Sequence, residues 1–194
     1  NREVLELAAK YPDRIHAWLF LNPSGPESPE SLLEKYGDHP SIIGIKLHPH
    51  WHDFRTATLT PIFEAAKARN WPVLVHLGFG ERGDFRALAE QYPTVPIIAA
   101  HAGFPFFDDL WAVAGGYPNL YVDLSSPYIT ESLARETVKA MGAERCLYGT
   151  DAPYGFEEED GSYDYFEIRG WIDRMKLTGR EKDKIFGETF SELV

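Results

Sequence analysis

Six polar residues sit at, or just beyond, the carboxyl ends of short apolar runs: Lys46, His48, His76, His101, Asp123 and Asp151. One histidine in such a place is more often a hydrogen-bonded core residue than a ligand. Three successive run ends carrying histidine, followed by an aspartate at the last one, form a different pattern. Neutral imidazoles and a carboxylate are borderline ligands that suit zinc, with manganese or iron as alternatives. The same groups can deprotonate a coordinated water and shuttle its proton. Metal-assisted acid–base chemistry is therefore the first expectation.

The runs that would position these residues are short and rich in β-branched side chains, as buried strands are. They are residues 14–21, 42–48, 72–77, 95–101, 119–124 and 145–150, and their starts are 23 to 30 residues apart. Helical patterns fall between them, at 28–36, 60–69, 85–91, 107–115 and 131–141, and two more are expected at 163–175 and 180–193. Tyr-Pro or Trp-Pro pairs at Tyr11-Pro12, Trp71-Pro72, Tyr92-Pro93 and Tyr117-Pro118 punctuate several strand entries, because proline stops a helix and favours extended chain. A regular βα repeat with apolar strands implies an α/β fold with a parallel sheet covered by helices.

Either an open doubly wound sheet or a (β/α)8 barrel would place chemistry at the strand carboxyl ends. No G-x-G-x-x-G follows a first strand, so the dinucleotide reading lacks its main support. Strands three apart in an open sheet lie roughly 14 Å apart, too far for their side chains to meet one ion. Closure turns them toward a common axis, so a TIM-type barrel is expected. Alternation lets Lys46 and His48 share a face with Gly44, His76 with Leu74, His101 with Ala99 and Asp151 with Gly149.

The ordered set GIKLHP, PVLVHLG, AAHAGFPFFDDL, NLYVDLSS, RCLYGTDAP and KIFGETFSEL resembles the amidohydrolase-related family that includes aminocarboxymuconate-semialdehyde decarboxylase. The resemblance runs along nearly the whole chain. It implies a (β/α)8 barrel with strands 3–8 present and strands 1–2 absent from the sequence. It further implies His76 and Asp151 as metal ligands and His101 as an acid–base or second-metal residue, so that His101 and Asp151 are the catalytic pair. The family's first strand carries a His-x-His or Glu-x-His pair, which this sequence lacks. The His48-Pro49-His50-Trp51-His52 segment follows the fourth strand and is expected on the substrate side. Some amidohydrolases carry a carboxylated lysine on the strand of Lys46. Here Lys46, His48 and Asp123 are read as substrate-binding residues.

The formal charge of −11 and pI near 5.0 argue against nucleic acid or an anionic membrane as a partner. One cysteine, Cys146, cannot form an internal disulfide, which suits a reducing cytoplasm. No apolar run reaches membrane-spanning length. The 194 residues suit a single domain, 1–194, with 1–12 read as the end of an amphipathic helix. Two exposed sheet edges would favour a homo-oligomer. The expected activity is metal-dependent hydrolysis of a small organic substrate. Non-oxidative decarboxylation of a small carboxylic acid would use the same residues. Two non-enzymatic readings also stand: a catalytically incomplete fragment without the first-strand pair, and a binding domain on a degenerate barrel.

Overall fold

The computed structural model describes residues 1–194. Six strands, β1 (Ala17–Phe20), β2 (Ile42–Leu47), β3 (Val73–Val75), β4 (Ile97–Ala99), β5 (Leu120–Leu124) and β6 (Cys146–Tyr148), form one sheet in sequence order. The β1–β2, β2–β3 and β5–β6 pairs are parallel. This is the α/β fold expected from the repeat. The chain divides into two compact units, residues 1–97 with residue 194, and residues 98–193.

In the first unit, helix α1 (Arg2–Lys10) precedes β1, α2 (Pro29–Tyr36) joins β1 to β2, and α3 (Thr60–Arg69) joins β2 to β3. Helix α4 (Phe85–Gln91) leads on to β4. Local sequence sets these limits. The Ser28 hydroxyl accepts from the Ser31 backbone N–H at 3.2 Å, with Pro29 in the first turn. Asn70, at φ 54°, closes α3 in the left-handed region. The Asp84 carboxylate accepts from the Ala87 N–H at 3.1 Å to start α4.

Alternation sorts the strands into two faces. Leu19, Ile45, Leu47, Val73 and Val75 are buried, as are Ile62, Phe63 and Ala66 of α3. Phe20, Lys46 and Leu74 are register partners on the opposite face. A register shift between Ala17 and Trp18 sets Trp18 against Gly44. A Cβ at residue 44 would lie 2.3 Å from the Trp18 ring and 2.8 Å from the Pro72 carbonyl oxygen. Glycine is what lets the indole lie across β2. Along the outer side of β1, the Asn1 amide does the work of a neighbouring peptide: its Nδ2 donates to Phe20 O at 2.9 Å and its Oδ1 accepts from Phe20 N at 2.8 Å.

In the second unit, α5 (Phe107–Val113) leads to β5 and α6 (Glu131–Met141) to β6. Leu120, Val122 and Leu124 are buried, along with Ala134, Val138 and Met141 of α6. Thr130 caps α6 by accepting from the Leu133 N–H at 3.2 Å. Beyond β6 the structure departs from the sequence expectation. Tyr163 does not open a helix: Phe156–Glu157 (β7) and Tyr163–Asp164 (β8) form an antiparallel hairpin, and α7 spans only Glu167–Arg174. The 158–162 connection closes with Gly161 at φ 80°, a left-handed turn position that glycine suits. The last expected helix is broken as well, into α8 (Gly179–Asp183), one π-type turn and α9 (Thr189–Leu193).

Helices α6 and α7 are clasped by one carboxylate. Glu131 receives Arg174 Nη2 at 2.7 Å and Arg135 Nε at 3.1 Å. Arg174 first, then Arg135, holds the Glu131 carboxyl down at about 2. A lowered carboxylate pKa stabilises the fold above the unfolded value of 4.5 and loses that contribution as pH falls toward about 2. The bracket is exposed, so the effect is small. Glu131→Gln should melt slightly below the parent at neutral pH, and the gap should close across that acid window in melting curves. Gly44→Ala should cost about 1–3 kcal/mol in denaturant unfolding, through overpacking against Trp18.

Candidate active site

In the first unit the register that pairs Lys46 with Leu74 continues past the strand ends and brings His48 to His76. Their ring centroids lie 4.3 Å apart, with planes inclined by 33°. His50 also stacks on His76, at 4.8 Å, with its own centroid 6.2 Å from that of His48, and Trp51 stacks on His48 at 4.4 Å. His52 packs against Phe20 at 5.5 Å. The HPHWH segment thus folds back over the β2–β3 ends as a group of imidazoles. His48 Nδ1 accepts from the Trp51 backbone N–H at 3.3 Å, so its proton sits on Nε2. Burial, helped by the Lys46 charge, lowers the His48 pKa to about 4. At neutral pH His48 is a neutral ring offering an Nε2–H donor.

In the second unit His101 is buried just beyond β4, Asp123 lies on β5, and Asp151 follows β6. His101 Nδ1 is 2.9 Å from the Ser125 hydroxyl, and His101 Nε2 is 4.0 Å from Asp151 Oδ2. Asp123 Oδ1 accepts from the backbone N–H of His101 at 3.0 Å and of Ser125 at 3.1 Å, and from the Ser125 hydroxyl in a short hydrogen bond. Asp123, which the sequence offers as a substrate-binding residue, uses its Oδ1 to hold the His101 turn. Ser125 was not anticipated, although it stands two residues from Asp123 on the same face of the strand line. Gly149 leaves room for it, since a Cβ there would approach the Ser125 Cβ to 3.0 Å.

Backbone strain is concentrated at these strand ends. His101, Ala102, Ser126 and Asp151 have φ of 56°, 59°, 85° and 57°. Each costs about 1–2 kcal/mol relative to right-handed geometry, and such residues cluster at functional sites. The turns aim the His101 and Asp151 side chains toward one another. Near the imidazole group, Phe54 is buried while Trp51 is exposed. In the second unit Phe104 stacks on Tyr128, whose edge faces the His101 ring at a centroid distance of 6.2 Å.

Each unit carries donor types that suit a divalent ion: the His76 imidazole in the first, and in the second the His101 imidazole and the partly exposed Asp151 carboxylate, all borderline ligands. Within each unit no three such side chains are gathered into a ready-made cage. Cys146 contributes nothing here: its thiol is fully buried and its pKa is pushed up by that burial.

A parallel sheet whose polar residues collect at strand carboxyl ends is the arrangement found in α/β folds of the barrel class. Residues 1–189 match the family model described as Amidohydrolase, and the chain belongs to that family. A relative, Protein fluG of Emericella nidulans, is 28% identical over 110 residues, covering 48% of this chain; the chain spans only 13% of that relative's length. Among solved structures, an uncharacterised TIM-barrel protein from Bordetella bronchiseptica matches 99% of this chain and 70% of its own, at 17% identity and TM-score 0.80. A putative 2-pyrone-4,6-dicarboxylic acid hydrolase from Pseudomonas putida matches 100% of this chain and 76% of its own, at 19% identity and TM-score 0.75. A dihydroxybenzoic acid decarboxylase from Polaromonas sp. JS666, with bound manganese and the inhibitor 2-nitroresorcinol, matches 99% and 72%, at 17% identity and TM-score 0.73. At these identities the likeness establishes the fold. No helix is long and apolar enough to cross a membrane.

The left-handed backbone at Asp151 makes a stability prediction separable from chemistry. Asparagine tolerates this region nearly as well as aspartate, whereas alanine does not. Asp151→Asn should unfold within about 0.5 kcal/mol of the parent, and Asp151→Ala about 1 kcal/mol below it, in urea titrations.

Proposed function

We propose that this chain carries the catalytic residues of a metal-dependent hydrolase acting on a small organic substrate, with His101 and Asp151 as the proton-transferring pair. The observation that carries the reading is the placement of His101 Nε2 4.0 Å from Asp151 Oδ2, with the ring's other nitrogen anchored on Ser125. His76 and Asp151 are the proposed ligands of a divalent ion, with zinc the first choice and manganese or iron alternatives. When bound, such an ion supplies Lewis acidity to a substrate oxygen and to water. The rest of the chemistry falls to the chain. His101 and Asp151 take up and deliver protons, Lys46 offers a positive charge to an anionic group, and the His48 Nε2–H donates to a substrate oxygen. The six strands are proposed as strands 3–8 of the barrel.

Decarboxylation of a small carboxylic acid is the second reading, favoured by the manganese-bound decarboxylase of Polaromonas that shares the fold. The same pair would then hand a proton to carbon. Product analysis on panels of esters, lactones and aryl carboxylic acids separates the two. Water incorporation without loss of carbon is the expected outcome, and release of carbon dioxide or bicarbonate replaces the hydrolase reading with the decarboxylase one.

Two further outcomes are expected. His101→Gln and Asp151→Asn should each lower kcat by about 10²–10⁴-fold in steady-state assays. Chelation should abolish turnover and added divalent zinc, manganese or iron restore it, while His76→Ala should lower the bound-metal content measured by elemental analysis.

A further inference from the structure

The hydrogen-bond chain behind His101 fixes more than the ring's position. A carboxylate only accepts, and Asp123 Oδ1 takes the Ser125 hydroxyl hydrogen. The Ser125 oxygen therefore has no hydrogen left to offer the imidazole. It lies 2.9 Å from His101 Nδ1, and the only hydrogen that can occupy that contact is one on Nδ1. We propose that Ser125, oriented by Asp123, is a positioning residue that locks His101 in the Nδ1–H tautomer and presents the Nε2 lone pair toward Asp151.

The direction is opposite to that of other histidines in the chain. His48 Nδ1 accepts from the Trp51 N–H at 3.3 Å, and His39 Nδ1 accepts from the Ser41 N–H at 3.2 Å. Both of those rings carry hydrogen on Nε2. His101 alone among these three has its Nδ1 facing an oxygen that must accept. Asp123 Oδ1 is also held by two backbone N–H groups, of His101 and Ser125, so the acceptor cannot swing away without breaking the turn. The Asp123 carboxylate is itself 3.9 Å from His101 Nδ1, too long for a direct hydrogen bond. The serine is the required intermediary. A ring locked this way is ready to accept a proton, or to offer a lone pair, at Nε2 without first rotating or exchanging tautomers.

The functional consequence rests on the role proposed for His101, while the tautomer does not. The test is long-range ¹H–¹⁵N correlation on the metal-free full chain, labelled at histidine and held at pH 8, with the His101 signals identified by their loss in His101→Gln. The expected parent spectrum has a pyrrole-type Nδ1 and a pyridine-type Nε2 for His101, and the reverse for His39 and His48. In Ser125→Ala the two His101 shifts should move toward each other, the mark of mixed tautomers, and kcat of the metal-loaded protein should fall about tenfold with KM little changed. Ser125→Thr keeps the hydroxyl and should keep the parent pattern and rate. A pyridine-type Nδ1 at His101 in the parent overturns the proposal, and this arm stands even if Ser125→Ala fails to fold. An unchanged His101 pattern in folded Ser125→Ala also overturns it. A shifted pattern with unchanged turnover upholds the lock and removes His101 from the proton-transfer role.

Discussion

Parallel strands in register oblige every second side chain to one face, and that constraint governs everything the strand ends can do. The register that sets Phe20, Lys46 and Leu74 abreast is the one that brings the His48 ring against His76 two residues later. In the other unit, the alternation that buries Leu120, Val122 and Leu124 leaves Asp123 and then Ser125 available to His101. A one-residue slip would exchange these sets with the apolar residues between them. The core and the candidate site are thus two readings of one periodicity.

Strain is stored where that periodicity ends. Leaving a strand without losing aim requires a sharp change of backbone direction, and His101, Ala102 and Asp151 make it in the left-handed region without glycine. The cost is met locally: Asp123 Oδ1 collects two backbone donors and one hydroxyl around the His101 turn. Such a carboxylate stabilises a shape before it takes part in any reaction. Its worth is geometric, and the neighbouring imidazole benefits.

Much of this was legible in the sequence. The βα repeat gave the strands to within a few residues, because buried strands are apolar and bounded by proline and glycine; β2 spans Ile42–Leu47 against an expected 42–48. The helices at 60–69, 85–91 and 131–141 coincide with their patterns. The strand-end histidines were visible because polarity at the end of an apolar run is conspicuous. Ser125 was not, since a serine in NLYVDLSS looks like any turn residue until its oxygen is seen between a carboxylate and an imidazole. The β7–β8 hairpin was hidden for another reason: its strands are two residues each, shorter than any periodicity can reveal.

The opposed hydrogen placements on His48 and His101 have a practical consequence for anyone dissecting these residues. An amide side chain copies only one nitrogen of an imidazole: asparagine places its NH₂ near the Nδ1 position, glutamine near Nε2. For His48, whose hydrogen is on Nε2, glutamine is the closer imitation. For His101, facing the Ser125 oxygen through Nδ1, asparagine would preserve the scaffold contact while deleting the lone pair. The same nominal mutation, histidine to glutamine, is therefore conservative at one position and an inversion of polarity at the other.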